Sequence, residues 1–291
     1  MTIEERMKAG PVLSDGAWGT EMQRLGLAPG ECPDNWNLIH PARVGAVAAS
    51  YVEAGSGVIL TNTFRANRVA LAAVGLAESV AAINRAGVRI SRDAASGRSL
   101  VFASIGPTGK LPAAGEIAPE EALAVFREQA AALAEERPDA LLIETMSDIG
   151  EASLALAAAR ETGLPVWVSF AFDSGGKKDR TMTGVTPERA AARMAAEGAA
   201  GVGANCGVGI VEAIPICARM RAACSLPLWI KPNAGIPEFI DGRVVYKCDP
   251  ESFAARVPDL VAAGAGVVGG CCGAGPAFIR RAALALEPVC G

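Results

Sequence analysis

The 291-residue chain contains one histidine and two tyrosines, and aromatic residues make up only 5% of it. With a single His, His40, and no serine in a nucleophile-elbow motif, triad hydrolysis is excluded as a reading. Lys and Arg form no block, and 27 basic residues stand against 31 acidic ones, a net charge of −4. That balance argues against a nucleic-acid groove or a polybasic membrane anchor. The N-terminus, Met1-Thr-Ile-Glu-Glu-Arg6, has no basic stretch leading into an apolar one. No export signal is therefore expected, and the chain reads as cytoplasmic. Only Leu260 to Ile279 runs twenty residues without a charge, and it carries six Gly and Pro276. It lacks the Leu, Ile and Phe content of a membrane-inserting helix, so it reads as a helix end, a turn and a buried strand. No short repeat, low-complexity tract or linker-like break in composition occurs.

What is present is apolar. Hydrophobic residues make up 51% and charged residues 20% of the chain, with mean hydropathy +0.29; a disordered chain is excluded. Short apolar runs recur: Val12–Ser14, Gly57–Leu60, Leu100–Ser104, Ala140–Ile143, Val166–Phe170, Gly201–Ala204, Leu228–Ile230 and Val267–Gly269. Ala-rich helical patterns fall between them, among them Pro41–Glu53, Ser79–Ala95, Pro119–Glu136, Asp148–Thr162, Pro187–Glu197, Ile210–Ala222 and Pro250–Ala263. Near-continuous apolar strands alternating with helices predict a parallel sheet. Eight of them in a chain of this length predict an α/β fold, a (β/α)8 TIM barrel forming a single domain over residues 1–291. A doubly wound open sheet is the rival.

The residues just after each run carry the chemistry. They are Asp15-Gly16, Thr61-Asn62-Thr63-Phe64, Ile105-Gly106-Pro107-Thr108-Gly109, Glu144-Thr145, Asn205-Cys206-Gly207, Lys231-Pro232-Asn233-Ala234-Gly235 and Gly270-Cys271-Cys272-Gly273. In a barrel these share the C-terminal rim, where barrel enzymes place their sites. Structural turns need Gly and Pro, but not this concentration of acids, amides and thiols. Eight Cys without an export signal read as thiols or metal ligands rather than as a disulfide framework. Cys206, Cys271 and Cys272 would converge from strands two apart, and a Gly-flanked turn lets both members of the Cys271–Cys272 pair face inward. Three thiolates suit Zn²⁺ with one position open. The alternative is a pair of small buried residues in a tight turn. Cys32, Cys217, Cys224, Cys248 and Cys290 read as small hydrophobes.

Two motifs mislead. Gly264-Ala-Gly-Val-Val-Gly269 fits GxGxxG, but it precedes and enters a strand instead of opening a helix, so no dinucleotide site follows. Trp18, Trp36 and Phe64 read first as packing residues, although their loops lie nearest the site.

Asp15-Gly16, Thr61-Asn-Thr-Phe64, Ile105-Gly-Pro-Thr-Gly-Lys110, Ile143-Glu-Thr145, Gly203-Ala-Asn-Cys206, Pro232-Asn-Ala-Gly235 and Gly269-Gly-Cys-Cys-Gly273 follow the order and spacing of the homocysteine S-methyltransferase family. The resemblance covers about residues 10–285, and the combination is specific although each motif alone is weak. Within the family, Ile105–Lys110, Arg180–Gly184 and Pro232–Gly235 resemble most the homocysteine-binding barrel of cobalamin-dependent methionine synthase. Folate-, cobalamin- and activation-type modules have no counterpart here, so the resemblance implies a free-standing homocysteine domain.

The resemblance implies that Cys206, Cys271 and Cys272 hold a catalytic zinc, with Asn233 in the fourth position until substrate arrives. It implies that Asp15 and Glu144 face the homocysteine ammonium, with the backbone around Gly16 holding the carboxylate; taken alone, Asp15 would be a helix cap and Glu144 a solvated rim charge. Asn62 and Asn205 shape the rim. The implied reaction is methyl transfer to the thiol of homocysteine, giving methionine. Arg65 stands where the betaine-using branch has an aromatic, and a positive charge opposes a cationic donor. The expected donor is therefore a methylcorrinoid (methylcobalamin) carried by a separate protein. The alternatives are betaine or S-methylmethionine as donor, a non-catalytic zinc-thiolate binding protein, or an unrelated barrel enzyme with structural cysteines.

Overall fold

A computed structural model describes residues 2–236, 238–240 and 243–286. Eight parallel strands build the main sheet: β1 (Val12–Leu13), β2 (Val58–Leu60), β3 (Leu100–Ile105), β4 (Ala140–Met146), β5 (Val166–Phe170), β6 (Gly201–Gly209), β7 (Leu228–Asn233) and β10 (Ala265–Val268). Their order is β1-β10-β7-β6-β5-β4-β3-β2, every neighbouring pair parallel. This is a (β/α)8 barrel, with helices between the strands.

The ends of that order, β1 and β2, meet through individual bonds instead of a ladder. Gly57 N–H donates to the Leu13 carbonyl at 2.7 Å, and Leu60 N–H donates to the Asp15 carboxylate at 2.7 Å. Ser56 Oγ adds a bond to the Ser14 carbonyl at 3.3 Å, so two side chains help to complete the seam.

Side chains alternate along each strand, so every second residue enters the barrel. The floor is Val12, Val58, Leu60, Leu100, Phe102, Leu142, Trp167, Trp229 and Val267, closed below by Ile3 from the helix Ile3–Ala9. Phe102 and Trp229 stack with centroids 5.5 Å apart, and Trp167 meets Trp229 edge-on at 6.0 Å. Three rings that large fit because β6 brings glycines. A Cβ on Gly201 would lie 2.2 Å from the Trp167 ring, and one on Gly203 would lie 1.8 Å from the Trp229 carbonyl oxygen. The outer core lies between strands and helices, where Ala-rich faces allow close packing.

The structure differs from the sequence expectations in three places. Strands β3, β4, β6 and β7 run one to five residues further at their C-terminal ends, into the segments read as turns. The helix expected over Pro250–Ala263 is two, Pro250–Ala254 and Val257–Ala262, because Pro258 cannot donate the bond a continuous helix needs. A small antiparallel pair, β8 (Glu238–Ile240) and β9 (Arg243–Val245), follows β7 and was not expected. The Asp-Gly dipeptide between flanking apolar residues was its sequence signal. Cys290 lies outside the described residues. Among the described residues, no helix is long and apolar enough to cross a membrane.

Candidate functional site

Two residues beyond the floor, the same inward faces turn polar. Ser104 follows Phe102, Glu144 follows Leu142, Ser169 follows Trp167, Asn205 follows Gly203 and Lys231 follows Trp229. All five are buried. Above them opens a cavity of about 270 Å³, walled by Gly16, Trp18, Asp34, Asn62, Phe64, Arg65, Ser104, Glu144, Lys231 and the three rim thiols, among others. That volume is at the small end for ligand pockets.

The sulfurs of Cys206, Cys271 and Cys272 lie within 4.8 Å of one another. Cys206 Sγ is 2.6 Å from Cys271 Sγ and 3.7 Å from Cys272 Sγ. Two backbone features aim them. Cys206 adopts φ +57°, a left-handed conformation that costs a non-Gly residue of order 1 kcal/mol. Gly207 beside it, at φ +72°, leaves no room for a Cβ, which would sit 2.6 Å from the Phe172 carbonyl oxygen. Across the rim, Thr145 is also left-handed, at φ +63°. Asn205 ties the two turns together: its Oδ1 accepts from Thr145 N–H at 2.9 Å and its Nδ2 donates to Thr145 Oγ1 at 2.7 Å. Cys271 N–H donates to the Pro232 carbonyl at 2.8 Å, and Ala234 N–H donates to the Cys272 carbonyl at 3.0 Å. Asn233 sits between those two anchors, and its buried Oδ1 has no hydrogen-bond partner among the described residues.

Three soft sulfurs in mutual reach suit Zn²⁺, and the orphaned amide oxygen belongs to Asn233, the residue between the two backbone anchors of Cys271 and Cys272. Without metal the cluster shares its protons. Hydrogen bonds from Cys206 and Cys271 push the Cys272 thiol down to about 3. Hydrogen bonds with Cys206 and Cys272, and then burial, hold Cys271 well above an ordinary thiol.

The acids differ in their surroundings. Asp15 is fully buried and lies behind the cavity wall. One of its oxygens pairs with Lys231 Nζ and accepts from Ser14 Oγ at 3.3 Å. The other accepts from Trp18 Nε1 at 2.6 Å and from Leu60 N–H at 2.7 Å. Glu144 is on the wall and accepts one bond, from Ser104 Oγ at 2.5 Å. Burial pushes its carboxyl up, and the nearby Lys231 charge opposes that. Burial alone would lower Lys231, but Asp15 and then Glu144 outweigh it and leave the ammonium raised.

Gly16 is also on the wall, and a Cβ there would lie 2.0 Å from the Ala274 carbonyl oxygen. Asn62 holds the mouth loop by donating to the Pro33 carbonyl at 2.7 Å and to Asn37 Oδ1 at 3.0 Å. Glu151 anchors the Pro107–Gly109 loop by accepting from Thr108 N–H at 2.8 Å. Trp36 is buried packing, whereas Trp18 and Phe64 line the cavity. His40 caps the helix Pro41–Glu53 and meets the Trp36 ring edge-on.

Sequence reasoning gave no role to Lys231 or Asp34. Lys231 had a signal, a cation ending the apolar run Leu228-Trp-Ile230. Asp34 had none in the sequence. It is 1% exposed at the cavity mouth, accepts from Arg65 N–H at 2.9 Å, and is pushed up to about 6 by burial.

The chain matches the homocysteine S-methyltransferase family profile over residues 12–286. It is 28% identical to the methionine synthase of Mycobacterium leprae, over 98% of this chain and 25% of that protein. The methionine synthase of Mycobacterium tuberculosis is also 28% identical, with 96% and 25% covered. The chain thus spans about a quarter of the length of these curated relatives. Among solved structures, the oxidised form of the Escherichia coli homocysteine methyltransferase MmuM superposes with TM-score 0.80 at 22% identity, covering 94% of this chain and 95% of that one. Its metallated form gives 0.78 at 24%, covering 93% and 94%. At these identities the structural likeness establishes the fold.

Proposed function

Because the chain belongs to the homocysteine S-methyltransferase family, we propose that it transfers a methyl group to the thiol of homocysteine, giving methionine. The observation that carries this reading is the three-sulfur cluster beside the Glu144 carboxylate on one cavity wall. The methionine synthase relatives support methionine as the product. Cys206, Cys271 and Cys272 would hold zinc, with Asn233 Oδ1 in the fourth position of the resting site. Zinc there supplies the acceptor as a thiolate at neutral pH, where a free thiol with pKa near 8.5 is mostly protonated.

The protein's own part is placement. Glu144, on the same wall as the sulfurs, holds the acceptor's ammonium. Ser104 fixes the Glu144 carboxylate by its hydrogen bond. Trp18 and Phe64 line the same cavity and in this reading pack against the acceptor's carbon chain. One S–C bond forms as the donor–methyl bond breaks, and the donor's leaving group keeps the electron pair.

The favoured donor is a methylcorrinoid on a separate protein, supported by Arg65 at the cavity mouth and by methionine synthase relatives that are four times longer than the aligned barrel. A second reading has its own observation. Asp34 is a carboxylate on the same wall as Trp18 and Phe64, and an acid among aromatics suits a sulfonium or quaternary ammonium donor. A donor panel with homocysteine and zinc-loaded protein decides between them. Turnover with methylcobalamin alone supports the first reading, turnover with S-methylmethionine or betaine supports the second, and no methionine from any donor overturns both.

A further inference from the structure

The hairpin β8–β9 leaves the rim after β7 and returns to it with one side chain. Lys247 and Glu238 pair at 2.6 Å across its open end. Cys248 N–H then donates to the Ala234 carbonyl at 3.2 Å, and Ala234 N–H donates to the Cys272 carbonyl at 3.0 Å. The returning chain is thereby held beside the Cys271–Cys272 turn, and Tyr246, the first residue after β9, sits on that turn. Its ring fills the space that a side chain at position 273 would need: a Cβ on Gly273 would lie 2.5 Å from Tyr246 Cγ. From there the phenol hydrogen-bonds the Cys272 sulfur. Tyr246 is half-buried and is not on the cavity wall. It meets the sulfur without meeting a ligand in the cavity.

Cys206, Cys271 and Cys272 all line that cavity. Holding zinc as thiolates, three protein sulfurs stand with the acceptor sulfur before the same donor methyl, and a thiolate is the nucleophilic form of sulfur. The fold has to quiet its own sulfurs. A hydrogen bond to a ligand sulfur draws electron density from it and fixes its orientation. Cys206 and Cys271 bond within the cluster, whereas Cys272 has the phenol as a further partner. We infer that Tyr246 is a positioning residue of the metal site: its O–H fixes the Cys272 sulfur and lowers the nucleophilicity of that ligand, so that the methyl group goes to the acceptor. The inference rests on the zinc reading above and adds to it a residue that no metal-ligand pattern nominates. It also gives the β8–β9 hairpin a task, which is to carry Tyr246 back to the turn.

The test is alkylation resolved by site. Tyr246→Phe keeps the ring over Gly273 and deletes only the donor. Zinc-loaded protein is treated with iodoacetamide, and each cysteine is followed by peptide mass spectrometry. An S–C bond forms as the C–I bond of the probe breaks, and iodide leaves with the electron pair. In Tyr246→Phe, Cys272 should alkylate about fivefold faster, the scale of one hydrogen bond. Cys206 and Cys271 should keep their rates, and zinc content should not change. A second readout does not depend on reactivity. With Co²⁺ in place of zinc, the sulfur-to-cobalt charge-transfer band should move to longer wavelength in Tyr246→Phe, because a thiolate without its hydrogen bond gives up charge more easily. Equal acceleration at all three cysteines, or loss of zinc from the variant, would make Tyr246 a packing residue and overturn the assignment. Either an unchanged Cys272 rate or an unchanged cobalt band would overturn it too. If the unaltered protein takes up neither metal, the zinc reading itself fails; a metal-loaded protein that is blind to Tyr246→Phe fails this inference alone.

Discussion

Two residues along the strand separate two different materials in this barrel. At Phe102, Trp167 and Trp229 the interior is stacked aromatic rings against glycines. At Ser104, Ser169 and Lys231, one pleat further on, it is a hydrogen-bonded layer with a buried ion pair. The floor stabilises by removing apolar area from water, about 1.5–3 kcal/mol for each large side chain. The rim carries left-handed non-Gly residues, crowded thiols and desolvated carboxylates, each of which costs stability. Function sits where stability is spent, on a base rigid enough to bear it.

The comparison can be broken hardest at the sulfurs. Alanine at Cys206, Cys271 or Cys272 should abolish zinc retention, leaving far less than one metal per chain by elemental analysis, while Cys217→Ala keeps it. Cys217 is fully buried, away from the rim. Retained zinc in Cys271→Ala or Cys272→Ala would remove the metal reading, and the thermal stability of the metal-free variants should stay close to that of the metal-free parent.

The floor should answer in the reverse sense. Gly203→Ala drives a Cβ to within 1.8 Å of the Trp229 carbonyl oxygen, a backbone clash that no rotamer relieves. Chemical denaturation should show a loss of about 3 kcal/mol or more, the upper range for overpacking. A near-neutral result would mean that β6 and β7 can slide apart, and the rigid-floor argument would fail.

A smaller effect is expected at Glu144. Glu144→Gln should weaken homocysteine by roughly 1.5–3 kcal/mol, on the order of ten- to a hundredfold. Zinc content and 2-mercaptoethanol affinity should not change. Equal losses for both thiols would make Glu144 a support of the metal or the fold.

Asp34 reads the stability cost of the rim through pH. Its folded pKa of about 6 lies above the usual 3.8 because of burial. The folded state therefore binds more protons than the unfolded one between those values. Stability falls as pH rises from about 4 to 6 and the penalty is complete above that. Asp34→Asn, which keeps an acceptor for Arg65 N–H, should raise stability at pH 7 by about 2 kcal/mol, within the 1.36 kcal/mol per pKa unit that the shift allows. At pH 3.5 the gain should vanish. A gain of equal size at both pH values would assign the effect to packing.

How much of this was legible beforehand differs between the two layers. The strand starts, most helix limits and the barrel class follow from local apolar runs and Pro at helix starts. The helix break at Pro258 follows from local chemistry too, although the apolar pattern ran through it. The thiols could be nominated because Cys206 and the Cys271–Cys272 pair end strands at Gly-flanked turns. The different surroundings of Asp15 and Glu144 could not, since both read as acids after strands. Their difference comes from partners 216 residues away for Asp15 and 40 for Glu144.

The amino-acid sequence by itself determined the alternation of strands and helices, the placing of acids, amides and thiols at one end, and the family to which they belong. All of these are local or ordered along the chain. Only the tertiary structure decided which polar groups are spent on the protein and which face the cavity. Closing the barrel brings β1 against β2 and β7 behind the wall, so Lys231 and Leu60 claim Asp15 and leave Glu144 open. Hydrogen-bond capacity is finite and shared through space, and no reading along one dimension can count it.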